Sequence, residues 1–186
     1  MAKSVNNVLT HGLSGKIGDL LVFRQHAGKT VVGKVPQRPT TVSEKQKEHR
    51  RNFQRATLYG KSVNADPQLK ELYGQSAKKG QTAYNIAVAD MLQAPNIENI
   101  DLSDYTGRPG DVIKVRVTDD FHVKEVLVTI TNDDGSLVES GYAHPDAIGY
   151  LWIYTATQDN ENLDGDKIEI TASDIPGNIA LEEQIL

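Results

Sequence analysis

The feature that most constrains this fold is a change of hydrophobic period close to Pro95. Before it, apolar residues recur at helical spacing, as Ala87 and Met91 do, four positions apart. After it, apolar and polar residues alternate, which is the pattern of half-buried β-strands. Side chains return to the same face about every 3.6 residues in a helix and every two residues in a strand, so one apolar pattern does not suit both. The sequence therefore predicts an α+β protein divided into residues 1–95 and residues 96–186.

The second half contains seven short alternating runs separated by turn sequences. Strands and turns at this spacing are typical of a β-sandwich. Asp134 and Gly135 predict one of the tight turns, because this pair tolerates positive φ. Trp152 stands at the centre of an alternating run, where we expect it to be buried in the core. We therefore predict a seven-stranded immunoglobulin-like β-sandwich over residues 96–186.

The first half begins with a β-hairpin and continues into a helix. Two β-prone runs flank a turn at Gly28 and predict a hairpin over residues 20–35. A linker at 37–40 follows. Thr41 and Glu44 fit a capping box, which predicts that a helix starts there. A lone two-stranded hairpin is marginally stable in water, so we expect it to pack against something else.

Two further helices are predicted before the change of period. Asp66 followed by Pro67 fits an N-cap and the first helical position. Thr82, after the break at Gly80, fits the cap of a third helix. The apolar stripe predicted for the second helix is Leu69, Leu72 and Tyr73.

Charge divides between the two halves far more unequally than the net charge of -5 suggests. Residues 1–94 hold 15 basic and 6 acidic residues, a net charge of +9. Residues 95–186 hold 5 basic and 19 acidic residues, a net charge of -14. Such a division indicates either two fused modules of different origin or a charge separation that serves assembly.

Motifs that would support catalysis or a cofactor are missing from the sequence. The absence of cysteine excludes disulfides, thiolate zinc sites and a cysteine nucleophile. Gly15 and Lys16 suggest a phosphate loop, but Thr10 and Ile17 occupy positions where that motif requires other residues. No two of the five histidines share metal-ligand spacing on one predicted element. We therefore predict a non-enzymatic protein with no catalytic, cofactor-binding or metal-binding residues.

An acidic loop at 159–166 leaves one alternative open. It carries carboxylate and amide oxygens of the kind that bind calcium, without the spacing of a helix-loop-helix calcium motif. Asp119 and Asp120, at the end of a predicted strand, could converge with it. Solvated loops that keep the sandwich soluble are the favoured interpretation, and calcium binding is the other.

A basic helix provides a possible interaction surface. Its cationic residues are Lys45, Lys47, Arg50, Arg51 and Arg55, with Lys16, Arg24, Lys29, Lys34 and Arg38 before it. Such a cluster could neutralise phosphates, but no nucleic-acid-binding motif accompanies it, and the acidic half would repel DNA. The favoured partner is a structural protein or the acidic half of a second copy, and nucleic acid is disfavoured.

The sequence predicts neither a signal peptide nor a membrane span. The first residues include no apolar run of signal-peptide length. No segment approaches the about 20 apolar residues that a membrane helix requires. We expect cytoplasmic synthesis and no membrane association, with a place in a released particle as an option.

Two stretches resemble known bacterial proteins. The first stretch contains Gly15, Lys16, Gly18, Val22, Gly28, Lys29 and Val32, then Gln46, Arg50, Phe53 and Ala56. With these residues the hairpin and the first helix resemble the opening of uncharacterised proteins of the Bacteroidota type. The second stretch contains Asp119, Asp120, Phe121, Trp152, Ile153, Tyr154 and residues 174–178, and it is similar to bacterial immunoglobulin-like domains. The resemblances imply an architecture and carry no assigned activity.

The functional hypothesis is a self-associating structural protein, a subunit of a phage-like particle, an injection machine or a filament. One alternative is an immunoglobulin-like module that recognises a glycan or a protein, and another is a nucleic-acid-associated protein acting through its basic half. The predicted assembly interface, most naturally with a second copy in a homo-oligomer, comprises Leu20, Leu21, Val22, Phe23, Arg24, Val31, Val32, Lys34, Arg50 and Arg51.

Overall fold

The computed structural model describes residues 2–4, 10, 12–26, 28–37 and 41–186. Ala27 of the predicted hairpin turn and Arg38 of the predicted basic cluster lie outside these residues, as does most of the predicted linker. Three helices and three antiparallel sheets in the described part of the chain confirm the α+β class. The chain forms two compact units, residues 1–46 and residues 47–186.

The first unit contains a four-stranded antiparallel sheet with strand order β1-β4-β3-β2. Its strands are β1 (Ala2–Ser4), β2 (Gly15–Ile17), β3 (Leu21–His26) and β4 (Lys29–Lys34). The predicted hairpin is present as β3 and β4, with Phe23 opposite Val32. Its outer edges pair with the three-residue strands β2 and β1, neither of which was predicted.

Three helices follow: α1 (Glu44–Ala65), α2 (Pro67–Gln75) and α3 (Ala83–Asp90). Two of the predicted starts are confirmed. The Asp66 carboxylate accepts the backbone N–H groups of Gln68 and Leu69, and Pro67 begins α2. Thr82 forms a capping box with Asn85 at the start of α3.

The capping box of α1 lies two residues later than predicted. The backbone N–H of Ser43 donates to Gln46 Oε1 at 3.1 Å, and the N–H of Gln46 donates to Ser43 Oγ at 3.3 Å. Glu44 is the first helical residue, so the position directly before the helix belongs to Ser43. The predicted pair of Thr41 and Glu44 has residue types that suit a capping box, but it lies two positions before the pair that forms it.

The chain from Asn96 onward forms two four-stranded antiparallel sheets that share one core. The strand orders are β5-β6-β10-β9 and β12-β11-β7-β8. The strands are β5 (Asn96–Asp104), β6 (Val112–Thr118), β7 (Val123–Thr131), β8 (Leu137–Tyr142), β9 (His144–Pro145), β10 (Leu151–Thr155), β11 (Lys167–Asp174) and β12 (Ile179–Ile185). There are eight strands rather than seven, because the two-residue β9 is too short to show an alternating pattern.

Alternate residues of both sheets fill the shared core. Ile113, Val115 and Val117 of β6 are buried, as are Ile168 and Ile170 of β11, while the intervening positions are more accessible. The period of two that predicts these strands therefore also identifies their inward faces.

Trp152 lies in the same core and is 6% exposed, which confirms its predicted burial. It stands opposite Val115 in β6 and Pro145 in β9.

The helices pack on the loops at one end of the two sheets. A second core cluster contains Val63 of α1, Tyr73 of α2 and Ala87 of α3, with Phe121 and Ile175 packed against it. The compact units divide at 46/47, whereas the predicted boundary at 95/96 marks the change from helices to strands. The independent folding of residues 96–186 stays a prediction.

The described helices include none that is both long enough and apolar enough to cross a membrane.

Candidate functional site

The predicted assembly residues are distributed over both compact units. Eight lie on the β3–β4 hairpin or at its entrance, from Leu20 to Lys34. Arg50 and Arg51 are exposed on α1, in residues 47–186. Eight of the ten predicted interface residues therefore lie in or next to one small sheet in the first unit.

The two faces of the N-terminal sheet divide these eight residues further. Phe23 stands opposite Val32, so both belong to one face, whereas Arg24 stands opposite Val31 on the other. Phe23 is 8% exposed, which marks its face as the better covered one. The opposite face holds a small groove of about 140 Å³, lined by Val22, Arg24 and Val31 among others. A single flat partner could contact one of these faces at a time.

The N-terminal sheet has little core of its own. Within the described part of residues 1–46, the buried residues are Phe23 and Thr30. Both hydrophobic clusters of the described chain lie in residues 47–186. Ile17 remains 56% exposed and Leu20 78% exposed, although both are large and apolar. The sheet thus exposes apolar surface that burial against a partner would stabilise.

A second site, a cluster of three carboxylates, lies where the helices meet the sheets. Asp119 follows β6 directly, and Asp174 is the last residue of β11. Both continue the inward register of their strands, since Asp119 comes two residues after buried Val117 and Asp174 comes two after buried Ala172. Asp90 ends α3. The sequence analysis missed Asp90 and Asp174, although the alternation that predicts β11 already places Asp174 inward.

The three carboxylates converge closely. One oxygen from each of Asp90, Asp119 and Asp174 lies within 4.8 Å of the other two. Asp90 is 1% exposed, Asp174 is fully buried and Asp119 is half-buried. Charged groups this deep normally require ion pairs or a bound cation.

Aromatic side chains hold Asp90 on its helical side. The hydroxyl of Tyr73 donates to Asp90 Oδ2 at 2.5 Å. The hydroxyls of Tyr59 and Tyr73 are hydrogen-bonded at 2.9 Å. The ring of Phe121 stacks on that of Tyr73, with centroids 4.3 Å apart. Residues from α1, α2 and the β6–β7 loop therefore fix the position of this carboxylate.

The β11–β12 turn holds Asp174. Its Oδ1 accepts the backbone N–H groups of Gly177 at 2.8 Å and Asn178 at 2.6 Å. The side-chain amide of Asn178 donates to Asp174 Oδ2 and also to the carbonyl oxygens of Asp90 and Gln93. Asn178 thereby links the turn to the end of α3.

Two carboxylate oxygens of the cluster have no hydrogen-bond partner in the described part of the chain. They are Asp90 Oδ1 and Asp119 Oδ1, and both are inaccessible to solvent. None of the ion pairs formed by described residues includes Asp90, Asp119 or Asp174. The negative charge of the cluster is therefore not neutralised by lysine, arginine or histidine there.

The electrostatics of the site follow from this arrangement. Burial, with a further contribution from the nearby carboxylates of Asp119 and Asp174, raises the pKa of Asp90 to about 7. Burial also raises the pKa of Asp174, against the hydrogen bonds from Asn178 and Gly177 that favour its ionised form. The pKa of Tyr73 is raised first by burial and then by its hydrogen bond to Asp90, so Tyr73 stays the proton donor.

The acidic loop at 159–166 does not converge with Asp119. Asp119 groups with Asp90 and Asp174 instead. Within the loop, the side-chain amide of Asn160 donates to Asp166 Oδ2 at 2.6 Å. The possible convergence considered from sequence is therefore wrong, because Asp119 belongs to the end of the sandwich that faces the helices.

Comparison with known proteins adds little to these observations. Neither a protein-family model nor a curated protein sequence matches the chain. The crystal structure of an engineered protein, determined at 1.98 Å resolution, is similar over 54% of this chain with 14% identity and a TM-score of 0.31. The aligned part spans 26% of that engineered chain.

Proposed function

We propose that this chain is a non-enzymatic structural protein that self-associates as a subunit of a larger assembly. A phage-like particle, an injection machine and a filament are the assemblies that such a subunit suits. We also propose that the sandwich is immunoglobulin-like and that the chain is related to the Bacteroidota-type proteins it resembles. The observation that supports the structural role is the N-terminal sheet, where Ile17 and Leu21 are exposed and only Phe23 and Thr30 are buried among the residues whose burial is described.

A second copy is the partner that the charge distribution favours. The described chain carries exposed cations on the first unit, such as Lys16 and Arg24, whereas the sandwich is strongly acidic. Edge strand β12 adds apolar side chains to this acidic part, since Ile179, Leu181 and Ile185 are all exposed. An edge strand with exposed apolar residues is a ready site for another chain.

The proposed contact joins unlike surfaces, the N-terminal sheet of one copy and the β12 edge of the next. Heterologous contacts of this kind close into rings or continue as filaments, depending on the rotation between subunits. Opposite charge speeds and orients the encounter, and burial of the apolar side chains supplies most of the affinity.

Charge substitutions at exposed apolar positions test the proposal in the full-length chain. Ile17→Glu and Leu20→Glu place a carboxylate on the N-terminal surface, and we expect sedimentation velocity to show a shift from oligomer to monomer. The melting temperature should change little, because both side chains are exposed in the single chain.

The matched control is Ile148→Glu, at a sandwich position that is 87% exposed. This variant should associate as the wild type does. Association that survives both N-terminal substitutions would move the interface away from the sheet and refute the proposed contact.

A further inference from the structure

We propose that Asp90, Asp119 and Asp174 bind a hard divalent cation of the Ca²⁺ or Mg²⁺ class at the junction of α3 and the two sheets. This inference is independent of the proposed assembly, since all three residues lie in residues 47–186.

The unpartnered oxygen of Asp90 is evidence for a ligand that is separate from the clustering of acidic residues. Asp90 is 99% removed from solvent, and its Oδ1 has no hydrogen-bond partner in the described chain. Asp119 Oδ1 is in the same situation. A buried charged oxygen without a partner destabilises a fold strongly, so evolved proteins satisfy it with a donor or a metal ion.

The negative charge of the cluster favours the binding of a cation. Three ionised carboxylates within 4.8 Å repel one another, and no ion pair in the described part of the chain compensates them. A divalent cation would neutralise most of this charge and accept both free oxygens as ligands.

The donor set selects the class of cation. All three ligands are carboxylate oxygens, which suit Ca²⁺ and Mg²⁺ and lack the nitrogen or sulfur preferred by zinc and copper. Ca²⁺ binds oxygens at about 2.3–2.6 Å, so two oxygens that share one ion lie at most about 5.2 Å apart. The three oxygens, all within 4.8 Å of one another, meet this limit, and titration with Mg²⁺ decides between the two cations.

The surroundings already hold the three carboxylates in place. Tyr73 orients Asp90 through Oδ2, and Phe121 donates its backbone N–H to Asp119 Oδ2 at 3.1 Å. In both residues the other oxygen, Oδ1, is the one left unpartnered. Outer hydrogen bonds that fix ligand orientation in this way are a regular feature of metal sites.

A surface hollow lies beside the cluster on the side of Asp119. Asp119 and Phe121 line a hollow of about 610 Å³ on the surface of the sandwich. Asp119 is also the least buried of the three aspartates. A cation entering there would link the end of α3, the β6–β7 loop and the β11–β12 turn.

Thermal unfolding of the full-length protein tests the site with the metal alone. We expect Ca²⁺, added after dialysis against EDTA, to raise the melting temperature in proportion to the logarithm of its concentration. Calorimetric titration of wild type should give one site, and Mg²⁺ in the same titration reports selectivity. Asp90→Asn and Asp119→Asn should each lose the shift and the heat of binding.

The melting temperature of Asp90→Asn in EDTA distinguishes loss of the metal site from loss of the fold. In EDTA, Asp90→Asn should melt no lower than wild type, because the amide still accepts the hydrogen bond from Tyr73 and places no charge in the buried site. Asp159→Asn, an exposed position of the acidic loop, removes the same charge and should bind Ca²⁺ as wild type does. Tyr73→Phe should weaken binding about 10-fold by releasing Asp90.

Three outcomes would overturn the proposal. One is a wild type that neither melts higher nor releases heat with Ca²⁺ or Mg²⁺, which would mean that a proton on Asp90 suffices. Another is a calcium effect that Asp159→Asn abolishes and Asp90→Asn leaves intact, which would place the ion in the acidic loop. The last is equal binding by all variants.

Discussion

Trp152 and Asp90 are two buried side chains whose contributions to the stability of the fold can be tested one at a time. Both are buried, and each has a polar atom without a hydrogen-bond partner among the described residues: the indole N–H of Trp152 and Oδ1 of Asp90. For the tryptophan, the large apolar ring offsets the loss of one hydrogen bond to water. For the aspartate there is no apolar surface to compensate, and the proposed cation would supply the missing partner of its Oδ1.

Two substitutions of Trp152 separate these contributions. Trp152→Ala should lower the free energy of unfolding by about 3–5 kcal/mol, because it leaves a cavity in the sandwich core. Trp152→Phe keeps most of the ring and removes the unpartnered N–H, so it should be markedly milder. Urea unfolding followed by circular dichroism measures both. Equal losses in the two variants would show that the indole N–H makes a contact the fold requires.

The residues of the carboxylate cluster show what sequence can and cannot predict at this scale. Asp119 and Asp174 each extend an alternating strand by one inward step, so their burial is readable from the period of two. Their proximity to Asp90 cannot be predicted from the sequence. The three residues are far apart along the chain, and spacing within one strand says nothing about which distant segments pack together. Convergence is a property of the sheet order and the helix packing.

At the scale of elements, local chemistry predicted most of the helices and strands. Asp66 with Pro67, and Thr82, mark their helix starts because the caps act within three residues. At α1 two overlapping sets of capping residues compete, and Ser43 with Gln46 forms the box. Strands β1, β2 and β9 have two or three residues each, too few to show a period. Their pairing depends on partners elsewhere in the chain.

A fragment of residues 96–186 tests how far the sandwich depends on the helices. Every member of its core cluster lies within this fragment, so we expect a cooperative β-rich fold. It should be less stable than residues 47–186, because Phe121 and Ile175 lose their packing against the helices. Circular dichroism and thermal unfolding of both fragments give the comparison. A disordered spectrum from 96–186 would mean that the helices complete the core.

At the scale of the whole molecule, the uneven distribution of charge is the dominant feature. The first 94 residues carry a net charge of +9 and the remainder a net charge of -14, in a chain of 186 residues. The structure places the helices in the same compact unit as the sandwich, so much of this contrast lies within residues 47–186. Charges on exposed surfaces act over about 8 Å at physiological salt, which suits contacts between copies.

Sedimentation velocity across a concentration and salt series tests the central claim most directly. We predict a concentration-dependent oligomer that forms more slowly as salt rises, because screening weakens the attraction that steers encounter. Preformed oligomers should dissociate little, since buried apolar side chains hold them. Negative-stain electron microscopy of the same samples should show rings or filaments. A monomer at every protein concentration and every salt concentration would contradict the assembly account.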